Sequence, residues 1–362
     1  MMRMTVLASG SKGNSTIVAS SRTKILVDAG FSCKELLRRM EIVREDPGEI
    51  DAVLITHEHQ DHVQGVAVLA RRLGIPVYFT EATHRAWIRW MMPNKRMTYA
   101  QWLARRREDL ARREQVRVAE ASAFAADRTE DALESRSADA KQLEPAGASV
   151  TVSNLDEFVE SERLPLNEHR LPLNDEHTGA HDDDENVCSK DADPCALPGI
   201  EYFAAGCEFS IGDIAVTPFT IPHDAADPVG FVFEVEGIRM GMATDLGYMP
   251  PNVKMALRRC DVLMLESNHD LEMLRDGPYP WSVKQRVMSR VGHLSNDAAA
   301  DFLEKNYDGF ASYVVLAHLS ECNNLPELAR VMAERALRDR MSLLANKLIL
   351  AEQKAPLESI CF

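Results

Sequence analysis

The 362-residue chain contains no run of eighteen apolar residues, so no segment of it has the length to cross a bilayer as a helix. Its opening, Met1-Met-Arg-Met-Thr-Val-Leu-Ala-Ser-Gly10, lacks the apolar stretch of a secretory leader and runs at once into a strand-and-loop pattern. Cysteine is sparse as well. The seven cysteines, at 33, 188, 195, 207, 260, 322 and 361, are odd in number, scattered and mostly in apolar surroundings. That excludes a disulfide framework and fits reduced thiols, so the expectation is a cytoplasmic protein with no membrane partner. Positive charge is in short supply, with a formal net charge of −15. The deficit is uneven: residues 101–200 hold 12 Lys and Arg against 23 Asp and Glu, which leaves only −4 on the other 262 residues. This argues against tight, non-specific, salt-driven binding to DNA but leaves a nucleic-acid substrate open. Nothing in the sequence assigns an oligomeric state.

At 45% apolar, the chain has material for one large core or two modest ones. Its most informative feature is Thr56-His57-Glu58-His59-Gln60-Asp61-His62, which follows the strand-like Asp51-Ala-Val-Leu-Ile-Thr56. At strand spacing His57 and His59 project to one side and can grip one ion. Asp61 and His62 fall where the chain enters a helix-like stretch, Val63–Leu73, stopped by Gly74. Imidazole and carboxylate are the donors that zinc, manganese and iron(II) select. A polar turn with solvated or helix-capping histidines is the plainer reading, but three His and one Asp in six residues beside a buried strand argue against it.

Three later strand-like segments each end in a ligand-type residue. Ile214–Pro222 runs into His223, Ile238–Thr244 into Asp245, and Tyr313–Ala317 into His318. Ligands gathered on one rim of a sheet make an open site. Taken singly, Asp245 ahead of Gly247 reads as a turn residue and His318 as a core histidine.

The pattern H-x-H-x-D-H at a strand end resembles the signature of the metallo-β-lactamase superfamily. The resemblance narrows to its YycJ/WalJ group through Leu7-Ala-Ser-Gly-Ser-Lys-Gly-Asn-Ser-Thr16, Ile221-Pro-His-Asp-Ala-Ala-Asp-Pro228, Leu265-Glu-Ser-Asn-His-Asp270, Gly292-His-Leu-Ser-Asn296 and Leu316-Ala-His-Leu-Ser-Glu-Cys-Asn-Asn324. It implies an α/β fold, a four-layer αβ/βα sandwich with the site along one rim. It implies two divalent metal ions, zinc first, with manganese or iron as alternatives. His57, His59 and His223 would hold one, Asp61, His62 and His318 the other, with Asp245 bridging them. The implied activity is phosphodiester hydrolysis by a hydroxide shared between the metals, in a DNA nuclease of 5′-to-3′ exonuclease character, with DNA favoured over RNA. Asp61 and Asp245 would orient the hydroxide.

The resemblance also lifts some residues above their plain reading. Ser9, Lys12 and Asn14 sit in a Gly/Ser loop that reads either as an ordinary hairpin or as a nest of N–H groups for a phosphate. Asp28 is expected to support a ligand histidine from behind. His293 precedes the helix-like Asn296–Glu304, where it reads plainly as a capping or supporting residue, and by analogy with the transfer RNA 3′-processing nucleases it would contact the scissile phosphate or protonate the leaving oxygen. His269 and Asn323 are further candidates for substrate contact. The cousin enzymes carry His-Glu-Ala-Thr where this chain has Leu265-Glu-Ser-Asn, so a role carried over to His269 is in doubt.

Residues 92–199 depart from the family pattern. They divide the chain into a first half-fold at 1–91, an acidic insertion, expected to be disordered or weakly helical, and a second half-fold at 200–362 that closes with a helix over 325–350. Within the insertion, His177, His181, Cys188 and Cys195 are loosely spaced for a second zinc site. Arg105–Arg107 with Arg112 and Arg113 form a basic helix face, read either as solvated or as touching DNA. Two other functions remain open at this stage: hydrolysis of a small ester or thioester on the same centre, and a non-catalytic metal-holding interaction protein.

Overall fold

The computed structural model describes residues 2–92, 193–338 and 347–362. The expected helix and acidic run between 99 and 186, the arginine cluster and three of the four residues of the second zinc site (His177, His181 and Cys188) lie outside the described residues. Cys195 is buried against the first sheet.

Among the described residues, fourteen strands run in chain order as β1 Arg3–Ala8, β2 Ser15–Ala19, β3 Lys24–Val27, β4 Ala52–Leu54, β5 Pro76–Phe79, β6 Gly199–Tyr202, β7 Phe209–Ile211, β8 Ile214–Thr220, β9 Val229–Val235, β10 Ile238–Ala243, β11 Val262–Glu266, β12 Tyr313–Ala317, β13 Lys347–Leu350 and β14 Ile360–Cys361. They form two seven-stranded sheets, ordered β14-β1-β2-β3-β4-β5-β6 and β13-β12-β11-β10-β9-β8-β7. Both sheets are mixed. The first is antiparallel from β14 to β3 and parallel from β3 to β6. The second is parallel from β13 to β10 and antiparallel from β10 to β7.

The helices are α1 Cys33–Ile42, α2 Gln60–Val63, α3 Val66–Leu73, α4 Glu81–Met91, α5 Pro251–Ala256, α6 Leu271–Asp276, α7 Trp281–Val287, α8 Asn296–Lys305 and α9 Pro326–Leu337. The central strands β3 and β11 are buried on both faces, which explains their apolar runs. Alternation sorts each side chain to one layer. Ile25 and Val27 point between the sheets to meet Phe231, Phe233 and Met264. Leu26 faces the other way, toward Leu36 of α1 and Leu69 of α3. Likewise Leu263 and Leu265 leave the inter-sheet core to pack on Phe302 and Leu303 of α8. Helices thus cover both outer faces, and the four-layer αβ/βα sandwich read from the sequence is the fold observed.

Two expectations about local structure need correction. The single helix over 63–73 is two, α2 and α3, broken at Gln64-Gly65. A Cβ on Gly65 would meet the Phe31 carbonyl oxygen at 2.1 Å, so the chain crosses here at a separation only glycine permits. The closing helix over 325–350 ends at Leu337, and Lys347–Leu350 is a strand. Leu348, Ile349 and Leu350 add to the open parallel edge of β12, where alternation sends Ile349 inward and Leu350 outward.

Candidate metal centre

The site occupies one rim, where the C-terminal ends of β3, β4, β8, β10, β11 and β12 deliver Asp28, His57, His223, Asp245, Glu266 and His318. His57 and His59 lie in the loop beyond β4 rather than on the strand, and His59 is the N-terminal cap residue of α2. Asp28, Asp245 and His318 each take a left-handed backbone with φ of 60°, 61° and 55°. Such conformations cost about 1–3 kcal/mol apiece and persist where the surroundings fix them.

A buried pedestal sets the tautomers. Asp28, fully buried, accepts hydrogen bonds from Thr56 N at 2.9 Å and from His62 Nδ1 at 2.8 Å. Thr56 Oγ1 also lies 3.0 Å from His57 Nδ1. With Nδ1 engaged from behind, His57 and His62 turn Nε2 toward the rim. His59 Nδ1 stands 3.3 Å from His223 Nε2, and His223 Nδ1 is bonded to the Gly292 carbonyl at 3.1 Å.

The structure brings His57, His59 and His223 together as one donor group and Asp61, His62 and His318 as another. Asp245 joins them: it clusters with His57 of the first group and His62 of the second, its Oδ2 3.5 Å from His62 Nε2 and its Oδ1 3.4 Å from His318 Nε2. Asp61 Oδ2 lies 3.5 Å from His62 Nε2 and 3.6 Å from His318 Nε2. His57 Nε2, Asp245 Oδ2 and His318 Nε2 are buried without a hydrogen-bond partner. Orphaned polar atoms of this kind are costly when buried, and imidazole and carboxylate are metal donors, so the residues present fit divalent metal ions.

The electrostatics divide the histidines. Burial drives His57 well below the ordinary imidazole value and also lowers His223, so both stay neutral lone-pair donors. For His62 burial opposes the charge, but the carboxylates of Asp245, Asp28 and Asp61 outweigh it and raise the pKa well above the usual. His318 meets the same contest, and Asp245, Asp61 and Glu266 push it up to about 10. Burial favours a neutral Asp245, yet the charges of His318 and His62 hold it well below the usual carboxylate range.

Glu266 is the residue that sequence reading quoted without giving it a part. Fully buried, it receives His293 Nδ1 at 2.8 Å and His318 Nδ1 at 3.0 Å on Oε1, and the backbone N–H of Leu246 and Leu294 on Oε2. Burial alone would raise its pKa, but His293 and the bonded His318 lower it to about 2. The signal was present, since a Glu closing an apolar strand on this rim follows the same rule as Asp245 and His318.

The residues expected to contact substrate take other places. The loop at 9–14 is not a nest of free N–H groups, because the N–H groups of Ser9, Gly10, Lys12, Gly13 and Asn14 all donate within the protein. Ser9 is buried and its Oγ accepts from His318 N at 2.8 Å, while Asn14 Nδ2 reaches Asp61 Oδ2 at 3.2 Å. Both brace the donor groups. His269 is buried, and burial lowers it to about 4. Asn323 is buried against Ser320. Lys12 is exposed and paired with Glu321 at 2.6 Å. His293, by contrast, is 23% exposed and lines a cleft of about 270 Å³ with His59, Asp61, Asp245 and His318.

Two sequence models match this chain: Metallo-beta-lactamase superfamily over residues 8–142 and Beta-lactamase superfamily domain over 151–319. The chain belongs to the metallo-β-lactamase superfamily. It is a metallo-β-lactamase-fold hydrolase, and that fold implies divalent-metal binding. Exodeoxyribonuclease YycJ of Bacillus anthracis is 27% identical over 339 residues, 94% of this chain and 90% of the relative. Exodeoxyribonuclease WalJ of Streptococcus pneumoniae serotype 2 is 27% identical over 91% of this chain and 86% of its own length. Among solved structures, the metallo-beta-lactamase fold protein YhfI from Bacillus subtilis has a TM-score of 0.52 at 11% identity and covers 98% of both chains, a likeness of fold. No helix among the described residues is long and apolar enough to cross a membrane.

Proposed function

We propose that this hydrolase is a nuclease that cleaves phosphodiester bonds of DNA, working from the 5′ end with two divalent ions, zinc foremost. One observation carries the reading: Asp245 stands between the two histidine groups, with the Glu266–His293 pair beside it in the same cleft. The names of the two exodeoxyribonuclease relatives support DNA as the substrate.

When bound, divalent ions supply positive charge opposite the phosphoryl oxygens and make water acidic enough to attack near neutral pH. The protein's own groups do the rest. His57, His59 and His223 form one ligand set, and Asp61, His62 and His318 the other. The carboxylates of Asp61 and Asp245 orient the attacking water for in-line displacement, and its proton leaves to solvent through the open cleft. His293, its Nδ1 held by Glu266, presents its other ring nitrogen to the cleft and donates a proton to the departing 3′ oxygen. Glu266 orients the ring and stabilises the imidazolium until that proton is given up.

The test uses metal-loaded protein, with His59→Ala as control, on 5′-labelled and 3′-labelled DNA, single- and double-stranded, beside an RNA strand and a chromogenic thioester. Stepwise loss from the 5′ end of DNA, absent in the variant, is expected. Thioester turnover without cleavage of either nucleic acid would overturn the assignment while leaving the fold in place.

A further inference from the structure

The cleft that holds the donor groups has a second wall, built by α7. Val283, Arg286 and Val287, three and four positions apart on one face of that helix, all line it. Asp61, Asp224 and Asp245 line it as well, and of these only Asp224 is outside the two proposed ligand groups and the Asp245 between them. Arg286 is the sole Lys or Arg among the described residues that line it.

That arginine is engaged by an aspartate of the same cleft. Arg286 Nε lies 2.5 Å from Asp224 Oδ2, with the arginine side chain 65% exposed and the aspartate 26%. The two ends of the bridge are not equally fixed. Asp224 follows His223 directly and its N–H is tied to the Val291 carbonyl at 3.0 Å. The guanidinium, on a long exposed stem, makes no other hydrogen bond among the described residues. An exposed ion pair of this kind stabilises a fold little, about 0–1 kcal/mol. The planar fork of Arg suits phosphate as well as carboxylate. Exchanging one anion for the other keeps the guanidinium compensated throughout.

We propose that Arg286 is the phosphate receptor of this cleft, held by Asp224 in its absence and transferred to a non-bridging phosphate oxygen as substrate enters. Val283 and Val287 beside it give the neighbouring sugar an apolar surface. The proposal rests on the phosphodiesterase reading, and the experiment separates the two.

Full-length, metal-loaded wild type, Arg286→Gln, Arg286→Lys and Asp224→Asn are compared at equal measured metal content. Each is assayed by steady-state cleavage of 5′-labelled DNA and by calorimetric binding of inorganic phosphate. In Arg286→Gln the KM for DNA and the Kd for phosphate rise roughly tenfold or more, with kcat within about threefold. Arg286→Lys, which keeps the charge without the fork, falls between. Asp224→Asn moves the opposite way and lowers both constants, because the guanidinium is released. Unchanged KM and phosphate affinity in Arg286→Gln would overturn the proposal. Equal losses in Arg286→Gln and Asp224→Asn would also overturn it, by reducing the pair to a structural bridge. If wild type leaves DNA intact while Arg286→Gln still loses phosphate affinity tenfold, the nuclease reading fails and the receptor stands.

Discussion

Asp28 accepts a 2.8 Å hydrogen bond from Nδ1 of His62, and both side chains are buried. The two residues are thirty-four positions apart, yet the carboxylate decides which imidazole nitrogen faces the rim. Asp28→Asn keeps the shape and removes the acceptor charge. Metal affinity is expected to fall roughly 10–100-fold, as for other partners that orient a ligand histidine. Competition against a zinc chelator measures it, and unchanged affinity would show that Asp28 serves packing alone.

His293 and Glu266 are bonded to each other but differ in reach, because Glu266 also holds His318. His293→Gln is expected to keep its metal and lose roughly 10²–10⁴-fold in kcat, the usual scale for a positioned proton donor. Glu266→Gln is expected to lose kcat and metal content together. Metal analysis beside steady-state kinetics separates the pair, and full metal retention in Glu266→Gln would contradict the link to His318.

Loading with metal should expel protons. The pKa of His62 is raised well above the ordinary value and that of His318 to about 10, so both carry protons at neutral pH in the metal-free protein. Ligation requires neutral imidazole, so protons leave as metal enters and affinity falls as pH is lowered. The same raised values fix a sign for metal-free stability. The contribution of His318 is complete below its unfolded pKa of about 6.5 and is lost as pH rises through about 10. Calorimetry in buffers of different ionisation enthalpy counts the protons, and melts of metal-free protein across pH 6–10 read the stability. Zinc binding with no proton release near pH 7 would contradict the account.

Close backbone contact supports the same rim. A Cβ on Gly30 would stand 1.8 Å from the Asp61 carbonyl oxygen and 2.5 Å from Asn14 N. Gly30→Ala is therefore expected to destabilise by about 1–3 kcal/mol through overpacking and to displace Asp61. A lowered Tm together with reduced metal content is the expected result, and a variant that melts and binds metal like wild type would refute the contact.

Legibility in the sequence followed the distance between partners. His57, His59, Asp61 and His62 crowd into one loop, so their grouping was visible directly, and short apolar runs marked most of the central strands. His223, Asp245 and His318 each follow a strand-like segment, which suggested a common rim. Glu266 was harder to read because its partners, His293 and His318, lie 27 and 52 positions away and only the fold brings them to it. The short edges were hidden for another reason. β14 is two residues long and β6 is Gly-Ile-Glu-Tyr, too brief for periodicity, and both exist by pairing with strands from the other end of the chain or across the long intervening segment. The loop at 9–14 has the composition of an anion nest, but Gln353, Glu352 and Asp61 claim its N–H groups from afar.

On the proposed reading, DNA hydrolysis would require two metal ions, held by the His57, His59 and His223 group and the Asp61, His62 and His318 group, with Asp245 between the two groups. Metal-free protein titrated with zinc, with bound metal and cleavage of 5′-labelled DNA followed together, tests it most directly. The account predicts that activity appears as the second equivalent binds and that Asp245→Asn abolishes it. Full activity at one equivalent, or cleavage in the metal-free protein, would contradict it.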